Sequence, residues 1–240
     1  MQQFGILGGT FNPVHRGHVI MAEAALAQAN LDCILWVPAY APPHRDPTVL
    51  LDFNQRLAMV QLAIANHPRF AVSTVEREHR RPSYAVDTLH QLQRDYPHRH
   101  WHWIIGFDAF QTLPKWYKHA ELVAECDWLI APRPAPLLVP PFPEPQMYGD
   151  LAGGDLADSD LAGGDLADGD SSGRDRCEQV VQHLASEGTP LRWRLLQMPS
   201  IDISSSQIRQ YCRDRRSIAD LVPTAVNTYI ISNGLYQPVV

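Results

Sequence analysis

The sequence predicts an α/β fold, a parallel sheet covered by helices on both faces. Three observations carry that prediction. Short runs that are apolar on every residue recur along the chain, and they alternate with segments of helical apolar spacing. The first run also ends in a glycine pair that leads directly into a helical pattern. A strand that is apolar throughout must be buried on both faces, which is the condition inside a parallel sheet.

Taken in order, "FGILGG" (4–9) reads as the first strand and "HVIMAEAALAQAN" (18–30) as the helix after it. "CILWVPA" (33–39) is a second strand, and Asp52 is placed to cap the helix "FNQRLAMVQLAIANH" (53–67). "FAVSTV" (70–75) follows as a third strand, with Ser83 as the expected cap of a helix through "YAVDTLHQLQRDY" (84–96). A fourth strand, "WHWIIG" (101–106), leads into "FDAFQTLPKWYKHAELVAEC", mostly helical with a break at Pro114. "DWLIAPR" (127–133) is a fifth strand. After an interruption come the helix "CEQVVQHLASEG" (177–188), the strand "WRLLQM" (193–198) and two C-terminal helical segments. Gly188 and Gly234 stand where helices should end.

The interruption has its own composition. Residues 132–145 hold seven prolines, and "DLAGGDLADS" (150–159) is almost duplicated by "DLAGGDLADG" (160–169). Two copies are too few for a solenoid, and the GGxGxD pattern of a calcium-binding roll is absent. An acidic low-complexity loop is the better reading. Eight of the chain's acids lie between 137 and 173 with no Lys or Arg, so setting them aside takes the net charge from −6 to +2. The remainder suits small anionic ligands and is too weakly charged for a long nucleic-acid footprint.

At 240 residues with 45% hydrophobic content and six tryptophans, the chain can bury a substantial core. No apolar run approaches a membrane span, and "MQQFGILGGTF" lacks the basic head of a signal peptide. The four cysteines (Cys33, Cys126, Cys177, Cys212) form no CxxC pair, the usage of a reduced cytoplasmic protein.

The chemistry concentrates where ligands of such sheets bind, beyond the carboxyl ends of the strands. In "GGTFNPVHRGH" (8–18), Gly8 and Gly9 let backbone approach an anion closely, and the amides of residues 16–18 open a helix. His15 and His18, three apart, share a face in that first turn. Such a pair is open to three readings: caps or core histidines, a metal pair, or donors to phosphate. No HExxH or third ligand lies nearby. A second element, "VPAYAPPHRD", presents His44 and Arg45 after the second strand, with Pro42 and Pro43 extending the loop. A third, "ISSSQIR" (203–209), sets serine hydroxyls and amides at a helix start with Arg209 one to two turns on. His98, His100 and His102 alternate onto one face if the fourth strand extends that far, which admits either a metal role or a solvated strand edge.

With those residues in view, the sequence resembles the nucleotidylyltransferase superfamily, and most closely its bacterial nicotinate-nucleotide adenylyltransferases. The motifs that carry the resemblance are "GGTFNPVHRGH", "PPHR", "RPSYAVDTL", "IIGFDAF" with "LPKWY", "APRP", "ISSSQIR" and "LVPTAVNTYIISNGLY". They occur in the family's order and span almost the whole chain apart from the insert. Asn12 stands where the family usually has Asp, Arg45 where Lys is common, and Ala85 and Ser206 where Thr is frequent. The resemblance implies one Rossmann-like nucleotidylyltransferase domain over 1–240, with a Pro-rich then acidic insert at about 134–173. It implies transfer of the adenylyl group of ATP, with Mg²⁺, to nicotinate mononucleotide, and small-molecule rather than nucleic-acid or membrane partners; it leaves the oligomeric state open. Its implied site is His15 and His18 facing the triphosphate, with Gly8, Gly9, Thr10, Phe11, His44, Arg45, Ser204, Ser205 and Arg209 holding ATP. Asp108 would meet a ribose and Trp116 stack on the pyridine ring. Backbone amides near Ala85 and Tyr117 would receive the carboxylate, and no protein metal ligand is implied.

Overall fold

The structure, a computed structural model, describes residues 1–42, 50–78, 82–132, 168–199 and 201–238. Six parallel strands form one sheet in the order β3-β2-β1-β4-β5-β6. They are β1 (Gln2–Gly9), β2 (Cys33–Pro38), β3 (Phe70–Val72), β4 (Arg99–Gly106), β5 (Asp127–Ala131) and β6 (Trp193–Leu195). Helix α1 (Arg16–Gln28) follows β1, α2 (Phe53–Ile64) follows β2, and α3 (Val75–Glu78) and α4 (Ala85–Asp95) precede β4. After β4 come α5 (Phe107–Phe110), a 3-10 turn (Leu113–Lys115) and α6 (His119–Glu125); α7 (Asp168–Ser186), α8 (Ser205–Arg213) and α9 (Thr224–Ser232) follow among the described residues.

The apolar strands divide their side chains between two cores with a period of two. Leu35 and Val37 of β2, Trp101, Trp103 and Ile105 of β4, and Trp128 and Ile130 of β5 enter one core. Ile34 and Trp36, Ile104, and Leu129 and Ala131 enter the other. Trp36 and Trp128 are wholly buried, one on each face. Removing a side chain of that size from a packed core costs about 3–5 kcal/mol.

Chain order reverses between β1 and β4, the central pair, so the crevice at their carboxyl ends is the expected ligand site. Asp52 caps α2 as expected, its Oδ1 accepting from the Asn54 amide at 2.8 Å. Gly188 and Gly234 both take positive φ, at 78° and 57°, just past α7 and α9.

Several local expectations change: the third strand stops at Val72, and Val75 opens α3 instead of ending the strand. Ser83 does not cap α4; Tyr84 holds the cap position, and the Ser83 hydroxyl accepts from the Ala41 amide at 3.0 Å instead. The 3-10 turn accommodates Pro114 near its start, where no backbone N–H is needed. Helix α7 begins at Asp168 rather than Cys177, so the end of the acidic stretch is helical. The added residues contain two glycines, which cost about 1 kcal/mol each against alanine, but no proline to stop the helix. The rest of the repeat lies outside the described residues.

Candidate active site

Gly8 and Gly9 are the last residues of β1, not part of the turn, and pair with Val37 and Pro38. A Cβ on Gly8 would meet nothing closer than 3.6 Å, so no protein atom requires its glycine. One on Gly9 would lie 3.1 Å from the Phe11 ring. Phe11 takes a left-handed φ of 46° and turns its ring into the core between Trp36 and His18. Only the backbone of Phe11 is therefore offered to a ligand.

His15 is the N-cap of α1, and His18 is its third helical residue. Their rings stack at 3.7 Å between centroids. The Nδ1 of His18 accepts from the His15 amide at 3.2 Å. A nitrogen that accepts carries no proton, so neutral His18 holds its proton on Nε2 as a donor. His15 is 8% exposed, and its Nδ1 is buried without a hydrogen-bond partner. Burial lowers His15 to a pKa of about 4. Burial, helped by the neighbouring His15, holds His18 well below the ordinary histidine value. Both imidazoles are neutral at pH 7 and meet an anion as hydrogen-bond donors.

Gly17 explains the middle of the HxGH pattern. A Cβ there would sit 3.0 Å from His15 Nδ1, 3.2 Å from its Cε1 and 3.4 Å from Ile201 Cγ2. The helix start is also more occupied than the sequence suggests. Of the amides expected to lie open, that of Arg16 donates to Leu221 O at 2.9 Å and that of His18 to His15 O at 3.0 Å.

The C-terminal part of the chain forms the second wall. Ser205 Oγ donates to Pro13 O at 2.8 Å, Arg209 donates to Asn12 O at 2.8 Å, and Tyr236 Oη donates to Asn12 Oδ1 at 2.8 Å. Arg16 reaches back to Val222 O at 3.2 Å. Helix α8 thus begins against the β1–α1 turn, and two helix N-termini meet there. Ser204 caps α8 by accepting from the Gln207 amide, which leaves its hydroxyl proton to donate. Ser205 has already donated its proton, so its backbone amide is what it can offer a phosphate.

Two residues of this region carried no flag in the sequence. Arg56, 1% exposed, donates to Thr10 O at 2.8 Å, Ala39 O at 2.7 Å and Leu51 O at 3.0 Å. It ties the β1–α1 turn to the end of β2. A signal existed: Arg56 interrupts the buried stripe Phe53, Met59, Val60, Ala63 of α2. Glu76, 8% exposed, accepts from the Tyr40 amide at 3.1 Å and from Thr88 Oγ1 at 2.9 Å. It sits in a four-residue helix too short for periodicity to mark.

On the other side of the crevice, Asp108 is exposed in α5, immediately beyond β4. Trp116 is half-buried. Its Nε1 donates to Thr112 Oγ1 at 2.9 Å, and its ring lies edge-on to Trp103 and Trp128, each at 6.4 Å. Tyr117 is 52% exposed and its ring meets that of Tyr84 at 4.6 Å. Ala85 is the first residue of α4. A hollow of about 240 Å³ beside this helix start is lined by Glu76, Pro82, Ser83, Tyr84, Asp87 and Thr88, among others. His44 and Arg45 lie outside the described residues.

A second hollow, of about 220 Å³, opens at the amino edge of the sheet, the wrong end for a ligand of this fold. It includes His102, which with His100 and Asp127 brings three donor atoms within 4.8 Å of one another. His98 is not part of this group; it lies exposed before the strand with φ 63°. His100 Nε2 is 2.9 Å from Asp127 Oδ2, His102 Nε2 is 2.9 Å from Gln3 Oε1, and Arg192 also donates to Asp127.

The cytidylyltransferase-like family profile matches residues 6–211. A probable nicotinate-nucleotide adenylyltransferase of Trichormus variabilis is 41% identical over 238 residues, 99% of this chain and 98% of that one. The nicotinate-nucleotide adenylyltransferase of Bacillus subtilis is 30% identical over 237 residues, 99% of this chain and all of that one. Among solved structures, a Plasmodium falciparum nicotinic acid mononucleotide adenylyltransferase complexed with NaAD superposes with a TM-score of 0.66 at 18% identity, covering 98% of both chains. That likeness speaks for the fold. Matches that run through both walls of the crevice, from Gly8 to Arg209, decide the lineage. The chain belongs to the cytidylyltransferase-like family and, within it, to the nicotinate-nucleotide adenylyltransferases.

Proposed function

We propose that the chain transfers the adenylyl group of ATP to nicotinate mononucleotide, giving nicotinate adenine dinucleotide and pyrophosphate. The observation that carries this reading is the stacked, neutral His15–His18 pair where α1 and α8 begin. An oxygen of the acceptor's phosphate forms a bond to the α-phosphorus of ATP. The bond from that phosphorus to the bridging oxygen breaks, and its electron pair leaves with pyrophosphate. The attacking oxygen is already anionic, so no general base is needed. Catalysis then rests on holding two like-charged partners in line and on stabilising charge on the leaving group.

In this reading His18 Nε2–H and His15 donate to phosphate oxygens, nearest the reacting phosphorus. The backbone of Gly8, Gly9, Thr10 and Phe11, with His44, Arg45, Ser204, the Ser205 amide and Arg209, holds the rest of the triphosphate. Asp108 meets a ribose. Trp116 stacks on the pyridine ring, and amides near Ala85 and Tyr117 receive the carboxylate. Mg²⁺ enters as part of the nucleotide substrate. The donors gathered here are amides, imidazoles, hydroxyls and a guanidinium, which suit phosphate oxygens, whereas Mg²⁺ takes oxygen ligands and keeps water. The same reading makes residues 1–240 one domain with the insert as an appendage. It also sets the work in the cytoplasm, in keeping with four free cysteines.

The test is pyrophosphate release from MgATP with a panel of acceptors. Nicotinate mononucleotide should exceed its nicotinamide counterpart in kcat/KM by about 10²-fold or more, because a site built for a carboxylate leaves donors unmatched by an amide. Equal values, or turnover with phosphopantetheine alone, would refute the assignment.

A further inference from the structure

We propose that Glu76 is a positioning residue that couples the two substrate subsites, so that filling one tightens the other. The inference rests on the proposed two-substrate reaction and on a continuous set of hydrogen bonds between the two sides of the crevice.

On the nucleotide side, Gly9 O accepts from the Ala39 amide at 2.8 Å, and Arg56 binds Thr10 O and Ala39 O together. The next residue, Tyr40, donates its amide to Glu76 Oε2 at 3.1 Å. The other carboxylate oxygen, Oε1, accepts from Thr88 Oγ1 at 2.9 Å, in the first turn of α4. A second link runs in parallel. The Ala41 amide donates to Ser83 Oγ at 3.0 Å, the Ser83 amide donates to Ala41 O at 2.9 Å, and the Ser83 hydroxyl also bonds to Glu76. One side chain thus holds the strand end that backs the β1–α1 turn against the helix start that begins the acceptor side.

Burial raises the Glu76 pKa, so the charge is costly where it stands. A hydrophobic residue would avoid that cost but would leave the Tyr40 amide and the Ser83 and Thr88 hydroxyls without this acceptor. What a carboxylate supplies is two acceptors at fixed separation, which a single rigid link between an amide and a hydroxyl demands. If either element shifts when its substrate binds, the other follows through Glu76. Coupling between two sites of this kind is ordinarily worth about 5- to 150-fold in affinity.

The experiment measures binding of a non-hydrolysable ATP analogue by calorimetry, with and without saturating nicotinate mononucleotide, and the reciprocal titration. Wild-type protein should show the analogue binding at least about fivefold more tightly when the acceptor is present, equally in both directions. Glu76→Ala should lose that factor. Glu76→Gln should keep it, because an amide can still accept from Tyr40 and donate to Thr88 Oγ1. Should Glu76→Ala not fold, Thr88→Val, which keeps the volume and removes one link, should lower the factor by itself. Unchanged coupling in Glu76→Ala, or in Thr88→Val where that is the variant measured, overturns the proposal. So does absence of coupling in the wild type, or equal losses in both single-substrate affinities with the ratio kept, the mark of a merely structural residue. Turnover of nicotinate mononucleotide by the wild type is scored separately, so failure of the proposed reaction is told apart from failure of the coupling.

Discussion

Two histidine pairs stand at opposite edges of one sheet, the first stacked at 3.7 Å and the second edge-on at 4.9 Å, and they share one feature. His15–His18 lies beyond the carboxyl end of β1, and His100–His102 lies within the amino-terminal half of β4. Each pair has a member 8% exposed with a buried Nδ1 that lacks a hydrogen-bond partner. In each, that member is brought to a pKa of about 4, chiefly by burial. The difference is in what surrounds them. His100 and His102 face Asp127, Gln3 and Arg192, a set in which carboxylate, amide and guanidinium answer one another. His15 and His18 lie instead where α1 and α8 begin, beside the Gly8–Gly9 strand end. Residue type alone does not make a phosphate site.

The largest expected effect breaks the symmetry between the pairs. His18→Ala should lower kcat by about 10²–10³ with a smaller change in KM for ATP, as loss of a donor to developing charge does. His100→Ala should leave kcat within about threefold, since it removes one part-buried hydrogen bond to Asp127 at the far edge of the sheet. Steady-state kinetics of both variants decide it; comparable losses would mean that the two edges are not distinct in function.

A smaller effect sharpens the account of the first pair. Gly17→Ala forces the His15 ring to move, because its Cβ would approach Nδ1 to 3.0 Å. A displacement of a few tenths of an ångström should cost about tenfold in kcat, against the roughly 10²-fold that a full 1 Å misplacement can cost. Retention of wild-type kcat would show that His15 tolerates the shift.

The pH dependence separates the pairs by ligand rather than by mutation. In the unfolded chain these histidines take up a proton as pH falls through about 6.5, whereas folded His15 and His102 do so only near 4. The unfolded state therefore binds more protons between those values, and stability present above pH 6.5 is lost as pH falls toward 4. Each of the two contributes on the order of 2–3 kcal/mol to that loss. MgATP should raise the titration of His15 and His18 through the phosphate charge and leave His102 unmoved. Histidine C–H resonances followed by NMR read both, and a shift of His102 would place nucleotide at the wrong edge.

The smallest effect concerns neither edge. Deleting residues 150–169 should change kcat/KM by less than about threefold and the melting temperature by a few degrees. Four leucines in twenty residues offer little apolar surface to a core, and the stretch has no Lys, Arg or His to assist phosphate chemistry. A tenfold fall in kcat/KM would make the insert part of the site and the comparison of the two edges incomplete.

Legibility from sequence followed the range of the physics. The runs "FGILGG" and "CILWVPA", the Asp52 cap and the glycines after α7 and α9 were readable because each depends on its immediate neighbours. Ser83 misled for the opposite reason. A serine one residue before a helix cap has the right local chemistry, but its hydroxyl is claimed by Ala41, 42 residues away. Glu76 left no trace, since its partners Tyr40 and Thr88 meet it only through the fold.

The sequence by itself determined the alternating strands and helices, the histidines at the start of the first helix, and the family. Backbone propensity, apolar periodicity and motif spacing are local quantities that survive without coordinates. Only the tertiary structure decided which histidine pair lies where two helices begin and which lies against Asp127 and Gln3. Ser205, Arg209 and Tyr236 reach Pro13 and Asn12 across 192, 197 and 224 residues of chain. Hydrogen bonds and desolvation act over a few ångströms in space, and sequence separation carries no record of which surfaces will share that distance.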